Sequence, residues 1–155
     1  MRIPGWWDCL LSIPLGCSPE AKKLLASVNS YRRTKGLGAV PTNNCLCQTA
    51  DKHTQQLVAG QARRHDWKGC RHSGNGNCMW NKPKEICGYP NRGYENWAGY
   101  EGSRGKMNAK IALNLWKRSP GHNTVMINSG KWTNKKWRGM GASVNGGHAV
   151  LWFGD

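Results

Sequence analysis

Acidic side chains are scarce in this chain: eight Asp and Glu stand against 23 Lys and Arg in 155 residues, for a formal net charge of +15. So few acids leave little to attract a cationic partner and favour anionic ones, such as acidic glycans, phospholipid surfaces or nucleic acid. A solvated basic shell with no specific partner is the plain alternative. Phenylalanine occurs once, so the nine tryptophans must supply most of the large aromatic packing. No apolar run approaches the roughly 18 residues that a membrane-spanning helix needs. The spacing C-x-x-C is absent, which removes the usual zinc-knuckle and thioredoxin patterns. Neither G-x-S-x-G nor H-E-x-x-H occurs, so no serine-hydrolase elbow or zinc-protease helix is encoded.

What is present is cysteine, glycine and a few short islands. Seven cysteines (Cys9, Cys17, Cys45, Cys47, Cys70, Cys78 and Cys87) all fall in the first 87 residues. In a small basic chain this suits an oxidising compartment, with three disulfides and one odd thiol; reduced, buried cysteines are the alternative. Cys9 with Cys17 is the expected staple of an N-terminal arm, and two of Cys70, Cys78 and Cys87 are expected to close the loop carrying His72. Residues 1–17 form that arm, rich in Pro and Trp, and residues 18–155 a single domain. The opening segment has one basic residue and an apolar run broken by Asp8 and Pro14, a poor signal peptide. It reads as a mature arm or a docking tail.

Ser18-Pro19-Glu20 is a helix start: a side-chain cap, proline at the first helical position and an acid in the first turn. Leu24, Leu25, Val28 and Tyr31 mark its apolar face, with Lys22, Lys23, Arg32 and Arg33 mainly off it, and Gly36 ends it. A second helix starts after Asn43 or Asn44; its stripe of Leu46, Ala50, His53 and Leu57 places His53 as a hydrogen-bonded core residue. Between Gly60 and Tyr94 periodicity vanishes, apart from a helical turn at Lys84–Cys87. Tyr94–Tyr100 reads as a strand and Lys106–Lys117 as a helix that Pro120 and Gly121 terminate. Gly139–Val144, a turn at Asn145–Gly147 and His148–Phe153 form a hairpin.

Three islands carry chemistry: C-x-H-S at Cys70–Ser73, Y-E-N-W-A-G at Tyr94–Gly99 and S-P-G-H at Ser119–His122. In order they offer His72, Glu95 and His122, two imidazoles and a carboxylate, a set that holds a divalent metal or moves protons. Add Asn29-x-x-Arg32 before K-G-L-G, a histidine on the second helix, and A-x-x-x-W running into S-P-G-H. With the closing G-M-G-A and A-V-L-W-F-G hairpin, the chain from Ser18 to Asp155 resembles the CAP superfamily of cysteine-rich secretory, antigen 5 and class 1 pathogenesis-related proteins.

That resemblance implies an α+β fold, a three-layer α-β-α sandwich around a small antiparallel sheet. It also implies a central cleft lined by His72, Glu95 and His122, able to take zinc or another divalent cation. Tyr94 replaces the family's glycine and is expected to tighten that cleft. The family's second acid has no counterpart; Lys117 and Arg118 occupy its neighbourhood, which weakens a claim of tight metal binding. In the ion-free alternative Glu95 accepts hydrogen bonds from His72 and His122. His65, in R-R-H-D, reads as solvated, and His148 could flank the cleft.

A second feature is the strip Lys131, Trp132, Lys135, Lys136, Trp137 and Arg138, basic residues alternating with aromatics. Its indoles suit a carbohydrate, a lipid headgroup or, less well, single-stranded nucleic acid; alternatively they are core and only the charges face water. The resulting expectation is a secreted protein that binds an anionic glycan, a lipid or sterol, or a protein partner in defence, interaction or assembly. The competing expectations are a metal-dependent hydrolase using the same cleft and a structural subunit docking through Trp6 and Trp7.

Overall fold

The computed structural model describes residues 16–72, 78–99 and 105–155. Five α-helices, a 3-10 turn and three strands run in the order α1 (Pro19–Thr34), α2 (Asn44–Val58), α3 (Cys78–Cys87), β1 (Gly93–Gly99), α4 (Ala109–Lys117), α5 (Pro120–Met126), the turn Gly130–Trp132, β2 (Gly139–Asn145) and β3 (His148–Gly154) among the described residues. The sheet is antiparallel in the order β1-β3-β2, so β3 is central and the two others are edges.

Strand β3 explains the layering. Its residues Ala149–Phe153 are all fully buried, an apolar run instead of an alternating one, because both of its faces are covered. Ala149, Leu151 and Phe153 join a core with α1, α4 and α5, including Leu24, Val28, Trp116 and Met126. Val150 and Trp152 point the other way, into a core with Leu46, Ala50 and Leu57 of α2 and Met79 of α3. Side chains alternating across one strand thus build the two cores of a three-layer α-β-α sandwich.

The caps are as the sequence reads them. Ser18 Oγ accepts from the Ala21 N–H at 3.1 Å, and Asn43 Oδ1 from the Leu46 N–H at 3.0 Å. Replacing Ser18 with Ala should cost about 1 kcal/mol of unfolding free energy, measured by urea titration; an unchanged midpoint would remove the cap from the account of α1. Asn29 and Arg32 hold the chain that follows α1. Asn29 brackets Val40, donating to its C=O at 3.1 Å and accepting from its N–H at 2.9 Å. Arg32 is buried, not solvated: its guanidinium donates to the carbonyls of Gly38 and Met126 and to Asn128 Oδ1.

Three sequence expectations change. The disulfides are Cys17–Cys47, Cys45–Cys87 and Cys70–Cys78. Cys17 therefore does not pair with Cys9, which lies outside the described residues, whereas Cys70–Cys78 does close the loop carrying His72. Cys45 and Cys47 are about 200° apart around α2, so one faces α3 and the other the segment before α1. Helix α3 begins at Cys78, well before Lys84, with Pro83 buried inside it; a disulfide at each end holds it against the proline's cost. Pro120, read as a terminator, instead opens α5 at a first-turn position where its missing N–H is not needed, so His122 lies on a helix.

Candidate functional site

Glu95 lies on edge strand β1, its side chain fully buried. Neighbours on one strand point to opposite faces, so Glu95 faces α2 while Tyr94 faces the α1 side. Helix α2 brings His53 to it: His53 Nδ1–H donates to Glu95 Oε2 at 2.6 Å. The other nitrogen of His53, Nε2, is 2.8 Å from the Asp66 carbonyl, and the ring stacks on Trp67 at 4.4 Å. A carbonyl only accepts, so Nε2 carries a proton, and the second proton is shared across the Nδ1–Glu95 contact. Burial pushes the His53 pKa down, but the Glu95 charge and hydrogen bond outweigh it and raise it. For Glu95 burial alone acts upward, and His53, with help from His65, takes the carboxyl below its ordinary range. Both directions favour the ionised form of the pair, an imidazolium on a carboxylate.

The other carboxylate oxygen is also taken. His65 Nδ1–H donates to Glu95 Oε1 at 2.9 Å, from a ring about a quarter exposed. His65 is thus part of the site and not the solvated residue that R-R-H-D suggests. Around it stand the two expected histidines. The His72 ring is 5.9 Å from the His65 ring and 6.0 Å from Trp80; the His122 ring is 6.3 Å from His65. His72 Nδ1 is buried with no hydrogen-bond partner among the described residues, and the backbone N–H of His72 donates to Asp66 Oδ1. His122 Nδ1 meets Ser119 Oγ at 2.8 Å, and its carbonyl accepts from Asn96 Nδ2 at 3.0 Å. Burial first, then proximity to His65, lowers the pKa of both His72 and His122.

The structure therefore gathers His72, Glu95 and His122 in one region but hands the carboxylate to His53 and His65. The hydrogen-bonded alternative is right in kind and wrong in partners. As a ligand set for the divalent ion that the fold implies, these residues as placed do not fit. Both Glu95 oxygens are engaged, and among the described residues no group of three or more His, Cys, Asp and Glu is positioned to hold a metal ion. Tyr94 does not tighten the cleft; it packs edge-on against Trp132 at 4.9 Å on the far face. His148 accepts from Trp97 Nε1–H at 3.3 Å at the other end of β1. Lys117 lies over the Tyr31 ring at 4.4 Å.

The basic strip divides in two. Trp137 is buried and its Nε1–H donates to the Val125 carbonyl at 2.9 Å, whereas Trp132 is half-buried. Lys135 pairs with Asp155 at 2.6 Å above the Tyr94 ring, and Lys131 lies over Trp132. Lys136 and Arg138 are exposed.

Three kinds of comparison bear on kinship. A search of curated proteins found no match. By structure, the chain is similar to an outer surface protein from Borrelia burgdorferi, with a TM-score of 0.65, 17% identity, and coverage of 86% of this chain and 90% of that one. It is similar to an extracellular protein containing an SCP domain from Bacillus anthracis, at 0.64 and 18%, covering 87% and 40%. A cysteine-rich secretory protein from Staphylococcus aureus gives 0.61 and 15%, covering 86% and 38%. This chain thus spans well under half of the Bacillus and Staphylococcus proteins. At such identities the likeness concerns the fold alone, but the sequence profile of the cysteine-rich secretory protein family matches residues 25–152. With the three-layer sandwich and the histidine–carboxylate cleft in place, that match over most of its length makes the chain a member of the cysteine-rich secretory protein, or CAP, family.

Proposed function

We propose that this CAP domain works outside the cell as a binding protein, engaging an anionic partner through one end of its sheet. The register carries the reading. Gly93, Gly154 and Gly139 are aligned across β1, β3 and β2, so the residues just beyond them, Arg92, Asp155 and Arg138, lie side by side. Lys135 and Lys136 line the same end beside Arg138 and Asp155, and Lys131 lies over Trp132, which packs on Tyr94 of β1, concentrating positive charge in a chain whose formal charge is +15. Three disulfides and the extracellular or outer-surface character of two structural neighbours support the location. Among the described residues no helix is long and apolar enough to cross a membrane.

The hydrolase reading has less behind it, because each oxygen of Glu95 already accepts a hydrogen bond from an imidazole. Docking through Trp6 and Trp7 falls outside the described residues. The test is binding to immobilised heparin, polyphosphate and phosphatidylserine vesicles as salt is raised. At least one should bind in 0.05 M salt and weaken about tenfold or more by 0.5 M, as screening of exposed charges requires. Binding indifferent to salt, or none at all, would remove the proposal.

A further inference from the structure

Resting on that reading, we infer that the sheet end takes a sulfated or carboxylated glycan chain, held in a shallow depression beside Asp155. The depression measures about 340 Å³ and is lined by Asn91, Asn134, Lys135, Lys136, Arg138 and Asp155. Its chemistry is mixed. Lys136 and Arg138 are exposed cations, and Asn134 offers an exposed amide that can donate and accept at once. Asp155 is committed to Lys135 at 2.6 Å, and its carbonyl accepts from Asn91 Nδ2 at 2.8 Å, which fixes the floor between the cations. Cations beside amides match a ligand that presents hydroxyls between anionic groups, and acidic glycans are built that way.

Several cations are also held in place before any ligand arrives. Arg92 lies over the Trp80 ring at 5.5 Å, Lys135 over Tyr94 at 5.0 Å and Lys131 over Trp132 at 5.0 Å. A cation resting on an aromatic face has surrendered part of its side-chain freedom, so binding has less ordering left to do.

The same contacts argue against the other polyanions. Tyr94 and Trp137 are buried, and the half-buried Trp80 and Trp132 each carry a cation over the ring. None offers the bare ring face on which single-stranded nucleic acid stacks. A bilayer surface would call for an apolar wedge among the cations. Among the described residues the exposed large apolar side chains are Val58 and Leu115, and Val58 borders Gly146 at the opposite end of the β2–β3 hairpin.

The experiment titrates the full chain with a heparin octasaccharide, phosphatidylserine vesicles and an oligo-dT strand in 0.15 M salt. Two variants of equal charge are compared: Arg92→Gln/Lys136→Gln/Arg138→Gln at the sheet end, and Lys22→Gln/Lys52→Gln/Lys110→Gln on the helices. All six side chains are exposed, so both variants should fold. The octasaccharide should bind best, weaken about tenfold in the first variant and less than about twofold in the second. Equal losses in both variants would overturn the site, leaving only general charge attraction. Tighter binding of vesicles or oligo-dT, lost in the sheet-end variant, would overturn the glycan but keep the anionic-partner reading. Silence from all three probes would overturn both.

Discussion

Glu95→Gln should lower the stability of this domain by about 3 kcal/mol, the lower end of what removing one partner of a buried charged pair costs. For a domain of this size that corresponds to a fall in Tm of roughly 6–12 °C by calorimetry. The carboxylate is fully buried and bound by two imidazoles, so solvent screening does not dilute its contribution. A neutral amide cannot hold the His53 proton against burial, and His53 then loses either its charge or its partner.

The pH dependence sharpens the test. Glu95 is held below its ordinary value of 4.5, so its contribution is present above that pH and is lost as pH falls through the lowered folded value. His53 is held above its ordinary 6.5, so its contribution is complete below 6.5 and is lost as pH rises through the raised folded value. His72, His122 and His148 are pushed down by burial; the unfolded chain protonates them first, which drains stability as pH falls below about 6.5. The wild type should therefore lose stability as pH rises past 6.5, while Glu95→Gln stays flat there, so the two profiles converge. Parallel profiles would mean that the His53–Glu95 pair is not ionised. Zinc provides a further arm. With both oxygens of Glu95 engaged it should leave Tm unchanged, and a zinc-induced rise that His72→Ala/His122→Ala abolishes would instead establish a metal in the cleft.

Gly141→Ala should cost at least about 3 kcal/mol, the upper end for overpacking. A β-carbon at this position of β2 would collide with the backbone of Leu46 and Cys47 in the first turn of α2. Backbone cannot rotate away as a side chain can, and this turn is tethered through Cys47 to Cys17 and through Cys45 to Cys87. The helix would have to lift off the sheet, opening the core around Trp152 and straining the approach of His53 to Glu95. Gly38→Ala is the control: nothing lies within 4 Å of its β-carbon, and the change should fall within about 0.5 kcal/mol. Chemical denaturation of both variants decides the matter, and equal midpoints would show that α2 and β2 are not in close contact.

The elements that repeat locally were legible from residue order. Helices α1 and α2 follow from their caps and stripes, the β2–β3 hairpin from Asn-Gly-Gly between apolar runs, and His53 from its place on the buried stripe. Pro120 was read only as the end of a helix, although its fixed φ equally suits the first turn of the next one. Which cysteines meet was legible only in part: two of Cys70, Cys78 and Cys87 were expected to close the loop carrying His72, and Cys70–Cys78 does so, whereas the partner of Cys17 was not legible. Cys17 reaches Cys47 only because α1 and α2 pack against a shared sheet.

Residue order alone determined that Glu95 stands on a strand and that His53 lies on the buried stripe of a helix, since each follows from spacing within one element. Tertiary structure decided which imidazoles arrive. His53 and His65 come from a helix face and an irregular loop whose positions depend on the whole sandwich, and no local pattern encodes a contact across 42 or 30 residues. The basic end of the sheet was decided in the same way: Arg92, Arg138 and Asp155 are far apart along the chain and become neighbours through the register of three antiparallel strands.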